Sequence, residues 1–159
     1  MPQNTNKYTV ATGASAGIGA AAAKAFAARG HNLVLIARRT ERLNALRDEI
    51  HAAHPSLDII VKTADLSVSE NVTRLYDEVR TLPIGTWVNN AGFGIYGAIG
   101  TQDIARMQQM IHLNIEALTI LSTLFVHDYR DAAGAQLINI SSVGGYQIVP
   151  TVVTYCATK

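Results

Sequence analysis

The sequence predicts a doubly wound α/β fold, a parallel sheet with helices on both faces. Three observations carry that reading. Short apolar runs rich in β-branched residues recur along the chain, stretches with helical spacing separate them, and a glycine-rich turn joins the first run to the first helix.

The apolar runs are residues 8–11, 33–36, 59–61, 86–88 and 137–140. Near-continuous apolarity of this kind suits parallel strands buried on both faces. Between them, Leu43, Leu46 and Ile50 recur at i, i+3 and i+7, Val72, Leu75 and Val79 repeat a helical pattern, and Ile104, Met107, Ile111 and Ile115 open a longer helix. Gly30 follows Ala27-Ala28-Arg29, where a helix-stopping glycine is expected. Repeated strand–helix alternation implies right-handed crossovers within one sheet. No linker, low-complexity tract or internal repeat is visible, and 159 residues suit a single domain spanning 1–159.

Composition narrows the function classes. The chain is 48% hydrophobic and 16% charged, enough apolar matter for a sizeable core. Thirteen basic and twelve acidic residues leave a formal charge of +1, which offers no field for nucleic acid or an anionic membrane. The single cysteine, Cys156, excludes an internal disulfide and suits a reducing cytosol. No basic region followed by an apolar stretch marks a signal peptide. The most apolar long segment, 113–127, is interrupted by Glu116 and is shorter than a bilayer span. A soluble, cytoplasmic protein is expected, with neither membrane nor nucleic acid as partner. His31, His51, His54, His112 and His127 share no ligand spacing, so no metal site is expected.

The glycine turn reads Thr12-Gly13-Ala14-Ser15-Ala16-Gly17-Ile18-Gly19. Gly13 can take backbone angles closed to other residues, and a bare Gly17 lets a pyrophosphate approach the chain. Gly19 allows close packing of the helix that begins near Ile18. That helix N-terminus offers free N–H groups and the positive end of its dipole to phosphates. Together these residues predict a dinucleotide site. The end of the second strand then bears on which dinucleotide. NAD-binding folds place an acid there for the ribose 2′-hydroxyl, whereas this chain has Arg38 and Arg39. Guanidinium groups grip a 2′-phosphate that a carboxylate would repel, so NADP is favoured and NAD is less favoured.

Further along stand Asn89-Asn90-Ala91-Gly92, Asn139-Ile140-Ser141-Ser142 and Tyr155-Cys156-Ala157-Thr158-Lys159. Tyr155 and Lys159 are i and i+4, on one face of a helix, where an ammonium favours the phenolate. Tyr155 is therefore a candidate general acid or base for a carbonyl or alcohol.

These motifs, in this order, resemble the short-chain dehydrogenase/reductase family, in its subfamily with T-G-x-x-x-G-x-G, N-N-A-G and Y-x-x-x-K. The resemblance covers essentially the whole chain. It implies a Rossmann-like sheet of strand order 3-2-1-4-5 and a C-terminal truncation relative to full-length relatives, which continue with two more strands and a substrate loop. It implies a catalytic set of Asn114, Ser142, Tyr155 and Lys159. In that set Tyr155 is the acid/base, Lys159 supports it and holds the nicotinamide ribose, and Ser142 (with Ser141 as second choice) bonds the substrate oxygen. Asn114 would kink its helix and hold a relay water.

For the cofactor the resemblance implies Gly13, Ser15, Gly17, Ile18, Gly19, Arg38, Arg39, Asp65 at the adenine, Asn90, Ala91 and Gly92, together with Tyr155 and Lys159. One departure is Ala16, where several NADP-using members carry a basic residue. The implied activity is NADP-dependent interconversion of a small-molecule carbonyl and a secondary alcohol. Residues 93–100 and 143–154 would build an apolar substrate wall from Phe93, Ile95, Tyr96, Val143, Tyr146, Ile148 and Val149. A homo-oligomer is expected for the full-length protein, through pairing of the helices that span 103–130 and Tyr155 onward. The alternative is an NADP(H)-binding module without turnover. A sugar-nucleotide epimerase or dehydratase is disfavoured by the three-residue gap between Gly13 and Gly17.

Overall fold

A computed structural model describes residues 6–147 and 149–159; Ile148, assigned above to the substrate wall, lies outside them. Five strands form one parallel sheet in the order β3-β2-β1-β4-β5, the order expected. They are β1 (Tyr8–Thr12), β2 (Asn32–Ala37), β3 (Ile59–Thr63), β4 (Ile84–Asn89) and β5 (Gln136–Asn139). The crossovers are helical: α1 (Gly17–Ala27), α2 (Thr40–Ala53) and α3 (Ser69–Val79). After β4 comes a longer crossover in which α4 (Ile104–Ile111) and α5 (Leu118–Tyr129) are joined by a π-helical segment, His112–Ala117. Two 3-10 turns and α6 (Val153–Ala157) follow β5.

Side-chain alternation along the strands divides the core into two layers. Leu33 and Leu35 face α1 and α2, packing with Ala23, Ala27, Leu43, Leu46 and Ile50. Val34 and Ile36 face the other way, toward Val72, Leu75, Val79, Leu121 and Phe125 of α3 and α5. Alanine at 23 and 27 lets α1 lie close to the sheet, and both are buried. Trp87 is fully buried between Tyr76 and Phe125, at ring-centroid distances of 5.3 and 6.1 Å.

Two expectations need correction. Every residue of β1, β2 and β4 is buried, whereas β3 and β5 are only partly so. The reason is topological, since those two strands are the sheet edges. The segment read as too short for a bilayer also belongs to a longer helix, continuous over Ile104–Tyr129 and by length and composition able to cross a membrane. In the fold its inner side, with Met110, Leu113, Ala117, Leu121 and Phe125, is buried, and most of these residues pack into the sheet core.

At the amino end of the sheet, the Tyr8 hydroxyl donates to the Asp58 carboxylate, whose backbone N–H donates to Asn32 Oδ1 at 3.0 Å. That bond, then burial and the Asp58 charge, push the Tyr8 phenol up to about 12. A phenol whose folded value exceeds its unfolded value near 10 contributes stability that is complete below pH 10. That contribution is lost as pH climbs from 10 to about 12. Urea midpoints measured from pH 8 to 12 should fall less steeply for Tyr8→Phe than for the wild type; parallel curves would contradict this assignment.

Candidate functional site: a cleft at the strand reversal

Where β1 and β4 lie side by side, the chain leaves them toward opposite faces, and the crevice between is where an open α/β sheet takes a ligand. An open cleft of about 530 Å³ lies there. Its wall includes Gly13, Ser15, Gly17 and Ile18 of the glycine turn, Arg38, Arg39 and Asp65 beyond β2 and β3, and Asn90 to Gly94 after β4. Ser141, Tyr155 and Lys159 complete it. Ala16, Ala64, Leu66 and Leu113 also line it.

The glycines divide by role. Gly13 has φ +67, and a Cβ there would meet Asn90 Nδ2 at 2.7 Å. Gly19 does not face the cleft; a Cβ on it would strike Asn90 Nδ2 and the Gly13 carbonyl oxygen, each at 2.5 Å. It therefore seats α1 against the turn. Gly17, at φ +56, has open space where its side chain would be. Ala16, at the helix N-cap, has no side-chain oxygen to offer the first amides of α1. Free amides, bare backbone and open space fit a pyrophosphate.

The two arginines are held differently. Arg38 Nη1 lies 3.8 Å from Asp65 Oδ2. Arg39 donates to the Ser15 hydroxyl from Nε at 3.2 Å and from Nη2 at 2.9 Å, joining the β2 end to the glycine turn. Burial alone would raise the Asp65 carboxyl, but the Ser67 hydroxyl and amide, with Arg38, outweigh it and hold the group below the ordinary carboxylate range.

At the other end, α6 carries Tyr155, and Lys159 stands just past the helix. Lys159 Nζ donates to the Ile140 carbonyl at 3.1 Å and lies 6.0 Å from the Tyr155 ring centroid. Burial holds this ammonium below the usual lysine range. Two glycines pack near the Tyr155 ring: a Cβ on Gly94 would lie 3.1 Å from Cγ and Cδ2, and one on Gly144 would lie 3.5 Å from Cε1. The same Cβ on Gly144 would also lie 3.5 Å from Ser142 Oγ, so hydroxyl and ring both border the Gly144 position. Ser142 Oγ accepts from Gly144 N at 3.1 Å, which leaves its own O–H proton unused by that bond. Ser142 is not on the cleft wall; Ser141 is, with its hydroxyl donating to the Lys159 carbonyl at 3.0 Å.

Asn114 sits buried within the π-helical segment, an insertion that bends a helix locally. Its Oδ1 accepts from Phe93 N at 3.1 Å, and its Nδ2 donates to Phe93 O at 2.9 Å and Thr158 Oγ1 at 2.8 Å. The side chain thus ties the wall after β4 to the segment bearing Tyr155 and Lys159.

Residues without an assigned role in the sequence reading hold this frame. Thr12 Oγ1 accepts from Asn90 N at 2.9 Å and Ala91 N at 3.0 Å and donates to Val88 O at 3.2 Å. Asn90 Nδ2 returns a bond to Thr12 O at 3.0 Å. Thr12 already opens the T-G-x-x-x-G-x-G motif, and its hydroxyl at the last position of a buried strand is the signal for this framing role. Thr12→Val, which keeps the shape and removes the acceptor, strands two partly buried amides and should cost about 1–3 kcal/mol per group left unpaired. Guanidinium melts of the two proteins check this, and an unchanged midpoint would refute it.

The short chain dehydrogenase family matches residues 7–159. An uncharacterized oxidoreductase of Mycobacterium tuberculosis is 32% identical over 158 residues, 98% of this chain and 62% of its own length. The bulky-bulky ketone specific alcohol dehydrogenase from Comamonas testosteroni superposes with TM-score 0.91 at 34% identity, over 98% of this chain and 63% of that one. A short-chain dehydrogenase from Sphingobium yanoikuyae in complex with NADPH gives 0.90 at 33%, over 96% and 60%. The chain thus spans just over three fifths of the relatives it matches. By its family match and its fold, the chain belongs to the short-chain dehydrogenase/reductase family.

Proposed function

We propose that this chain is the nucleotide-binding domain, residues 1–159, of an NADP-dependent oxidoreductase that interconverts a small-molecule carbonyl and a secondary alcohol. One observation carries the reading: a single cleft joins the glycine turn and the arginine pair at one end to Tyr155 and Lys159 at the other. An oxidoreductase function is the family's.

When bound, NADP(H) supplies or accepts the hydride at its nicotinamide ring. The chain's own residues bind and move the proton. Amides of Gly17 and Ile18 would hold the pyrophosphate, and Asn90, Ala91 and Gly92 would wall the cleft opposite. Arg38 and Arg39 receive the 2′-phosphate, and Asp65 bounds the adenine end. Tyr155 gives its phenolic proton to the substrate oxygen in reduction and takes it back in oxidation. The Ser142 O–H donates to the same oxygen, where charge develops. Lys159, fixed by Ile140, has N–H groups left for the nicotinamide ribose. Asn114 fixes Phe93 and Thr158 around them.

Substrate selection falls to Phe93 on the cleft wall and to the exposed apolar residues Tyr96, Val143 and Tyr146, in the segments that follow the wall residues Gly94 and Ser141. Ile104, Ile111, Ile115 and Val126 are exposed on α4, α5 and the segment between, which suits pairing with a second subunit. Cys156 is free, which suits the cytosol. The second reading is NADP(H) binding without turnover, in which the same cleft takes the cofactor alone.

Two measurements test the proposal. Tyr155→Phe should lower turnover on a carbonyl panel by about a hundredfold or more while NADPH fluorescence still reports binding within threefold. Near-normal turnover would remove Tyr155 from its role, and binding without turnover in the wild type would select the second reading. Replacing Arg38 and Arg39 together by alanine should weaken NADPH at least tenfold, about 1.4 kcal/mol, and leave NADH within threefold. Equal losses for both cofactors would refute the NADP assignment.

A further inference from the structure

We infer that Gln102 is a positioning residue for Tyr155, acting through Thr154 on the short helix that carries the tyrosine; this rests on the reading of Tyr155 as the acid/base. The helix α6 opens at Val153, so Tyr155 sits in its first turn, close to the chain that leads into it. At the lysine end the ties are Asn114 to Thr158 and Lys159 to Ile140. At the tyrosine end they come from the loop between β4 and α4.

That loop makes a closed circuit with the chain before Tyr155. Gly97 N donates to Thr151 O at 2.9 Å. Gln102 Nε2 donates to Gly97 O at 2.9 Å, while Gln102 Oε1 accepts from Thr154 Oγ1 at 2.8 Å. A terminal amide donates through its nitrogen and accepts through its oxygen, and Gln102 uses both ends. The circuit has firm supports. Gly97 sits at φ +134, a conformation L side chains rarely adopt. Asp103, the next residue, caps α4 by accepting from Arg106 N at 2.6 Å. Gly94, earlier in the same loop, lies against the Tyr155 ring. The loop therefore touches the ring face at one end and anchors the preceding residue at the other. Without the amide of Gln102, the Thr154 hydroxyl loses its acceptor and the ring is free to shift from Ser142.

The test compares Gln102→Ala, Thr154→Val and the conservative Thr154→Ser. For the first two, kcat should fall about tenfold, short of the roughly hundredfold a 1 Å displacement can cost, while KM and the NADPH Kd stay within twofold. Thr154→Ser keeps the hydroxyl and should restore most of kcat. The double variant should lose no more than the worse single one, as expected of two residues acting through one contact. Hydrogen exchange supplies the independent readout. The amide of Gly97, bonded to the Thr151 carbonyl within the circuit, should exchange about tenfold faster in both disruptive variants, with β1 and β4 unchanged. Wild-type-like kcat in both, a Thr154→Ser variant as slow as Thr154→Val, or additive losses would overturn the inference. If the wild type turns over no carbonyl of the panel, the acid/base reading of Tyr155 fails by itself. The exchange rates then decide the clamp, faster exchange upholding it and unchanged exchange refuting it.

Discussion

At the centre of the sheet, one hydroxyl joins two chain segments that are leaving each other. The β1–β4 ladder ends at the pair Ala11 and Val88, beyond which the two chains diverge to opposite faces. Thr12 Oγ1 continues the connection by accepting two amides of the departing β4 loop and donating to Val88 O. This stitch fixes the separation between the glycine turn and the wall formed by Asn90 to Gly94, and so the width of the cleft. From that wall the constraint passes on: Phe93 is gripped at N and O by Asn114, and Asn114 in turn holds Thr158. A continuous set of hydrogen bonds thus runs from a buried strand end to the segment carrying Tyr155.

The fold was legible because its signals are local. Leu33, Leu35 and Val34, Ile36 alternate between the two cores, and Leu43, Leu46 and Ile50 mark one helix face. What local pattern does not encode is order, and order decides that β3 and β5 are edges. Likewise the cleft's glycines, arginines, tyrosine and lysine were readable from spacing within a few residues. The frame around them was not. Asn90 and Thr12 are 78 positions apart, Gln102 and Thr154 are 52 apart, and Asn114 and Thr158 are 44 apart. Single hydrogen bonds between distant polar residues leave no periodicity to detect.

The cleft's cations are short-range devices. With a net charge of +1 the chain has little field to draw an anion from afar. Arg39 rests on a neutral hydroxyl and keeps its full charge for a ligand, whereas Arg38 shares its charge with a carboxylate held ionised by Ser67. Both are exposed, so their mutual pairings contribute little to stability. Lys159 differs: its ammonium is partly withdrawn from water, and the Ile140 carbonyl offsets only part of that loss.

The glycine turn also sorts the damage that substitutions would do. Side chains at Gly13 or Gly19 would collide with Asn90 and the turn itself, so variants there are lost as folding defects. Gly17 meets no protein atom, and its left-handed backbone costs an L residue only about 1–2 kcal/mol. A chain altered at Gly17 can therefore remain folded while its side chain fills the space left for a phosphate. Within one eight-residue motif, two glycines answer for the integrity of the protein and one for its occupancy.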